Sequence, residues 1–261
     1  MNQHVLIIIT AISLTVQQAH ASWFRKLWPF SDHTPAHCIA TSEHHAEFTY
    51  GETVIELRNH QNILDPNLPL GALVNAANQE CLGGGGIDGA ISKAGGPALY
   101  HAREALPVVD DIRCPTGQAR LTISGAIKNT PFVIHAVGPR CASKESLSPQ
   151  EKHLLVDAYI NSLELINDWN KGDSANHPEF NAITRNNLID SVAFPAISAG
   201  IFNCNVTLAA APVAQAVVEW LNSHPTSGLK RVYFVFYNPI DPTDATLGFD
   251  AYYQAFSLIN P

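Results

Sequence analysis

From about residue 52 onward, short apolar runs alternate with longer stretches whose apolar residues recur at helical spacing, the rhythm of an alternating α/β domain. Runs rich in β-branched and aromatic residues at 53–57, 70–74, 120–124, 132–137, 191–194 and 231–237 predict strands. Three helices are predicted between them. Pro97 opens one, with Ala98, Leu99, Ala102 and Leu106 as its inward stripe, because a proline at the first helical position sacrifices no intrahelical bond. Pro149 opens a second, running to about Trp169 with Leu154, Leu155, Ala158, Leu163 and Leu165 inward, and residues 207–221 form a third. The polar, Asn-rich segment 171–190 reads as an inserted loop.

The amino-terminal pattern differs. Residues 5–16 are apolar or small, a run too short to cross a bilayer comfortably, and Ala19-His20-Ala21 supplies a small-x-small cleavage pattern before Ser22. Residues 1–21 are therefore expected to be a signal peptide directing export to a secreted or periplasmic destination. In the rival reading the segment stays uncleaved as a membrane anchor, helped by Trp23, Phe24, Leu27, Trp28 and Phe30 beside Arg25 and Lys26. Residues 22–51 are expected to be an extension rich in His, a polar tail rather than a metal site built from His33, His37, Cys38, His44 and His45.

Composition narrows the function classes. With 261 residues, 46% of them hydrophobic and 15% charged, the chain suits one globular domain with trimmings, and a monomer is expected. The 15 basic and 23 acidic side chains leave a formal charge of −8, which removes the broad basic field that non-specific nucleic-acid binding needs. An anionic ligand held by backbone amides is still compatible. Five cysteines show no CxxC spacing, which excludes a zinc ribbon; export would permit one or two disulfides, but their pairing stays open.

Chemistry concentrates in two loops that each follow a predicted strand. The first runs Asn75-Ala76-Ala77-Asn78-Gln79-Glu80-Cys81-Leu82, then four glycines at 83–86, then Ile87-Asp88 opening a helix. Such a loop lets the backbone approach a ligand closely while the helix start points free N–H groups at it, an arrangement suited to phosphate or pyrophosphate. The second, Pro195-Ala196-Ile197-Ser198-Ala199-Gly200-Ile201-Phe202-Asn203, repeats the theme, and two amide-presenting loops at strand carboxyl ends can clamp a pyrophosphate. The glycines are not followed by Lys-Ser or Lys-Thr and lack GxGxxG spacing, which disfavours ATP hydrolysis and dinucleotide redox chemistry. GxSxG and HExxH are also missing.

NAAN, LGGGGIDGAI, TGQA, VIHAVGP and FPAISAGIF, in this order, resemble a macrodomain of the MacroD-type branch over roughly residues 52–258. The resemblance implies a three-layer α/β/α sandwich around a mixed sheet of about six strands, with an ADP-ribose cleft at one sheet end. It implies removal of ADP-ribose from acidic side chains of modified proteins, with O-acetyl-ADP-ribose as a further substrate; the alternative is a non-catalytic reader of ADP-ribose. Position by position, it implies that Asn78 holds the distal ribose, Asp88 is the catalytic acid side chain and Asn75 supports their loop. Gly84, Gly85, Gly86 and Ile87 would present amides, Ser198, Ala199, Gly200, Ile201 and Phe202 would wrap the other side, and Tyr237 would stack near adenine. Gln61-Asn62-Ile63 stands where members usually carry Gly-Asp-Ile, so Asn62 offers adenine an uncharged acceptor. Glycines occupy the positions of the zinc-binding branch's ligands, so neither a metal nor a cofactor is expected.

Overall fold

The structure, a computed structural model, describes residues 38–185, 187–238 and 242–260. The expected signal peptide and the aromatic cluster at 23–30 lie outside them. Among the described residues eight strands form one sheet, in the order β1-β2-β3-β8-β7-β4-β6-β5. These are β1 (Cys38–Ser42), β2 (His45–Tyr50), β3 (Thr53–Asn59), β4 (Ala72–Ala76), β5 (Ala119–Ile123), β6 (Phe132–Ala136), β7 (Ser191–Pro195) and β8 (Arg231–Phe236). The helices are α1 (Gly86–Glu104), α2 (Pro149–Lys171), α3 (Val206–Ser223) and α4 (Pro242–Leu258).

All six predicted strands are present. The domain boundary expected at residue 52 is corrected by β1 and β2, which bring residues 38–50 into the sheet as an antiparallel hairpin paired to β3. His44 and His45 therefore belong to that hairpin and its turn rather than to a polar tail. His45 sits against Glu47 and Glu56, whose carboxylates Arg231 also bridges. The expected inserted loop contains a 3-10 turn, Pro178–Ala182, whose Phe180 is buried against Trp169.

The layers follow from period-two alternation along strands covered on both faces. Ala72 and Val74 of β4, Phe132 and Ile134 of β6, Val192 and Phe194 of β7, and Val232 and Phe234 of β8 join the larger core cluster with α2, α3 and α4. Leu73, Val133, Ala193, Tyr233 and Val235, the residues between, join the smaller cluster with α1. Helix and sheet thus stack as an α/β/α sandwich.

Caps set the helix ends. Ser148 and Glu151 form a reciprocal capping box at α2 with Pro149 in the first turn, and Gly172 closes the helix in the left-handed conformation. The Asn205 side chain accepts from the Thr207 and Leu208 N–H groups at the start of α3. Helix α1 is two helices joined at a sharp kink: Gly96 has φ 62° and ψ −159°, and Pro97 starts the second half. The N–H of Ala126, in the β5–β6 connection, donates to the Gly95 carbonyl freed by that break, at 2.9 Å. In that second half the expected inward stripe is corrected at one position, since Ala98 is exposed and Arg103 points inward instead.

Candidate functional site

Strands β7 and β6 pair parallel to β4 on its two sides. From β4 the chain proceeds through α1 toward β5 and β6; from β7 it proceeds through α3 to β8, on the other side. The connections diverge between β4 and β7, and open α/β sheets place ligands at the carboxyl ends of strands at such a point. A cleft of about 170 Å³ lies there, lined by Asn78, Gly84, Gly85, Gly86, Ile87 and Asp88 from one side and Ser198, Gly200, Ile201 and Phe202 from the other.

The two predicted loops therefore meet. Asn75, Asn62, Ile63, Ala199 and Tyr237 are not part of this lining. Ala199 packs on the larger core. Ile63 is buried in the smaller core. Exposed Asn62 uses its side-chain oxygen to accept the Leu64 N–H at 2.9 Å, a local turn. Tyr237, just beyond the end of β8, is half exposed. Asn75 lies one layer behind the cleft. Sequence reasoning missed Gly138 and Arg140, which also line it; the Arg140 guanidinium lies 4.2 Å from the Phe202 ring centroid, a cation–π contact across the cleft. Their signal was their position directly after the β6 run.

Asn78 shapes its own loop. Its amide donates to the Gly83 carbonyl at 2.9 Å and its oxygen accepts the Cys81 N–H at 3.0 Å, leaving one amide hydrogen for a ligand. A Cβ on Gly84 would come within 2.9 Å of Asp88 Oδ2, whereas one on Gly85 would meet only the tip of Ile201. Gly84→Ala is accordingly expected to displace the carboxylate and to weaken ADP-ribose binding about tenfold or more. Gly85→Ala, whose neighbour can swing aside, should stay within a few-fold; calorimetric titration of both variants checks the contrast.

Behind the cleft runs a buried polar chain. Asn75 and His135 are register partners on β4 and β6, so their side chains share the face toward α1. The Asn75 amide donates to Asp88 Oδ1 at 2.9 Å and to His135 Nδ1 at 3.1 Å. His135 Nε2–H then donates to Thr122 Oγ1 at 2.9 Å, which fixes the neutral tautomer. Burial, and secondarily the charge of Arg103, hold His135 well below the ordinary histidine range. Its neutral form thus stabilises the fold fully above the unfolded value of about 6.5, and this contribution is lost as pH falls below it toward the folded midpoint. His135→Gln, which cannot charge, is expected to flatten the acid side of a stability–pH curve measured by urea unfolding.

Cys141 and Cys204 form a disulfide with Cα atoms 4.9 Å apart, which settles the pairing that the sequence left open. It joins the segment after Arg140 to the end of the Phe202 loop. The Cys141 N–H also donates to the Phe202 carbonyl at 2.8 Å, which joins the two walls through their backbones as well.

The sequence model of the macro domain matches residues 74–213, which takes in both loops of the cleft. A macro domain-containing protein of Caldanaerobacter subterraneus is 37% identical over 182 residues, covering 69% of this chain and 87% of the relative. The O-acetyl-ADP-ribose deacetylase of Escherichia coli is 38% identical over 172 residues, covering 66% of this chain and 82% of the relative. The Oceanobacillus iheyensis macrodomain with ADP superposes with a TM-score of 0.60 at 25% identity, covering 78% of this chain and 93% of that one. On these matches the chain belongs to the macro domain family.

Proposed function

We propose that the cleft binds ADP-ribose and that the protein hydrolyses ADP-ribosyl esters, releasing ADP-ribose from Asp or Glu side chains and deacetylating O-acetyl-ADP-ribose. The observation that carries this reading is the placement of Asn78 and Asp88 in one cleft, on either side of Gly84, facing a second amide-rich loop. The name of the Escherichia coli relative supports the hydrolytic chemistry.

The loop amides at residues 84–87 and 198–202 would hold the pyrophosphate, and Phe202 would pack on the distal ribose. On the protein-linked ester, water attacks the anomeric carbon, the bond from that carbon to the ester oxygen breaks, and the acceptor leaves as a carboxylate that needs no proton; on O-acetyl-ADP-ribose, water instead adds to the acetyl carbonyl carbon, the acyl carbon–oxygen bond breaks, and acetate leaves while the sugar oxygen takes a proton. The proton released by water passes to Asp88 or, through the ligand's own phosphate, to solvent. Asp88 has one oxygen, Oδ2, without a hydrogen-bond partner in the fold, and this is the oxygen beside Gly84.

Incubation with glutamate-modified protein is expected to release free ADP-ribose. One observation favours the alternative, a reader that binds without turnover: Asp88 is only 3% exposed. Tight ADP-ribose binding with no release at high protein concentration would establish that alternative.

The proposal extends to export. The segment at 1–21 motivates it, and the Cys141–Cys204 bridge supports it, since disulfides persist in oxidising compartments. Mature protein should begin at Ser22; a full-length cytosolic product would refute this. With the segment cleaved, no membrane contact is required.

A further inference from the structure

Arg103 is 1% exposed, among the largest fully buried side chains of the protein. A buried guanidinium is costly unless it is paired, and its position shows what the pairing serves. Its Nη2 donates to Asp88 Oδ1 at 2.8 Å, and its Nη1 donates to Ser92 Oγ at 2.7 Å. The Ser92 hydroxyl donates to the Asp88 carbonyl at 2.7 Å.

Asp88 and Arg103 are 15 residues apart in one helix. In a straight helix that separation is roughly 22 Å along the axis, far beyond the reach of any ion pair. The break at Gly96 and Pro97 folds the second half of α1 back, and it brings the cation to the carboxylate. Asn75 and Arg103 both donate to Oδ1, while Oδ2 has no partner and faces Gly84 in the cleft.

We propose that Arg103 is a positioning residue of the ribose site: it anchors one oxygen of Asp88 so that the other is presented, charged and correctly aimed, to the distal ribose. The proposal rests on the assignment of ADP-ribose to this cleft. Arg103 touches no ligand itself; it acts through Asp88.

ADP lacks the distal ribose, so the ratio of ADP-ribose to ADP affinity reports on Asp88 aim and is blind to general loosening of the fold. Titration of the full chain with each ligand is expected to show this ratio falling about tenfold in Arg103→Met, the scale of one charge-assisted hydrogen bond. Arg103→Lys, whose ammonium can reach Oδ1, should recover most of it. Turnover of ester-linked ADP-ribose should fall in parallel, in kcat more than in KM. A folded Arg103→Met protein with an unchanged ratio overturns the proposal, as does failure of Arg103→Lys to recover any of it. If Arg103→Met does not fold, Ser92→Ala carries the test, because it removes the other anchor of the guanidinium: a reduced ratio supports the proposal and a wild-type ratio overturns it. A wild-type protein without turnover, but with a ratio that Arg103→Met collapses, would remove the hydrolase reading and leave the positioning role standing.

Discussion

Replacing Asp88 with Ala is expected to lower ADP-ribose release by at least about a hundredfold, because a reacting group displaced by about 1 Å already costs that much. It is also expected to destabilise the fold. The carboxylate is the partner of Arg103 inside the domain, and removing one member of a buried pair costs about 3–5 kcal/mol, since the other charge is left unpaired. Asp88→Asn separates the two effects: its amide oxygen can still accept from Arg103 and Asn75 at the Oδ1 position, so stability should be lost to a smaller extent while release stays low. Single-turnover release from glutamate-modified protein, run beside urea unfolding of the same samples, gives both readings. Wild-type release by a folded Asp88→Ala protein would remove Asp88 from the mechanism.

Breaking the Cys141–Cys204 bridge has the second largest expected effect. A cross-link spanning 63 residues stabilises by about 4 kcal/mol through the reduced entropy of the unfolded chain. In a domain of this size that corresponds to a fall in Tm of roughly 8–16 °C. The double variant Cys141→Ser, Cys204→Ser and the reduced wild type should show the same shift. Affinity for ADP-ribose should fall too, because the bridge ties the Arg140 segment to the Phe202 loop. Scanning calorimetry with and without dithiothreitol, with thiol titration to confirm reduction, decides the point; an unchanged Tm in fully reduced protein would contradict it.

What the sequence revealed and what it hid have separate physical origins. Strands β4, β6, β7 and β8 are covered on both faces, so each contains consecutive apolar residues, broken by a single polar residue such as Asn75 or His135, and its place is plain. In β2 buried residues alternate with partly exposed ones, and its partly exposed His and Glu masked the run His45–Tyr50 as polar chain. Helix α4 was missed although Ala245, Phe249, Tyr252 and Phe256 have helical spacing. Gly248 interrupts them, a poor helix former required because a Cβ there would come within 2.8 Å of the Phe236 ring.

The same division holds at the site. Both loops were legible because amide-rich turns need glycine and small residues in unbroken local sequence. Arg103 was not: its spacing from Leu99 and Leu106 placed it on the inward face, but only the fold-back at Gly96 decides that an arginine there meets a carboxylate. The Cys141–Cys204 pairing and the contact of Arg140 with Phe202 depend on two distant loops meeting, which no local pattern encodes.

The hydrogen-bonded chain from Asp88 through Asn75 and His135 ends at Thr122, on β5, the outermost strand on that side of the sheet. The proposed ribose site is therefore footed on an edge strand of the sheet, at a side chain that is itself only 2% exposed. Loss of the Thr122 hydroxyl is expected to free the imidazole ring to turn and so to weaken the backing of the carboxylate, although Thr122 does not line the cleft. Substitution on an edge strand can thus reach the cleft by relay, and an engineer who wishes to retune the carboxylate without touching the cleft has a handle at Thr122.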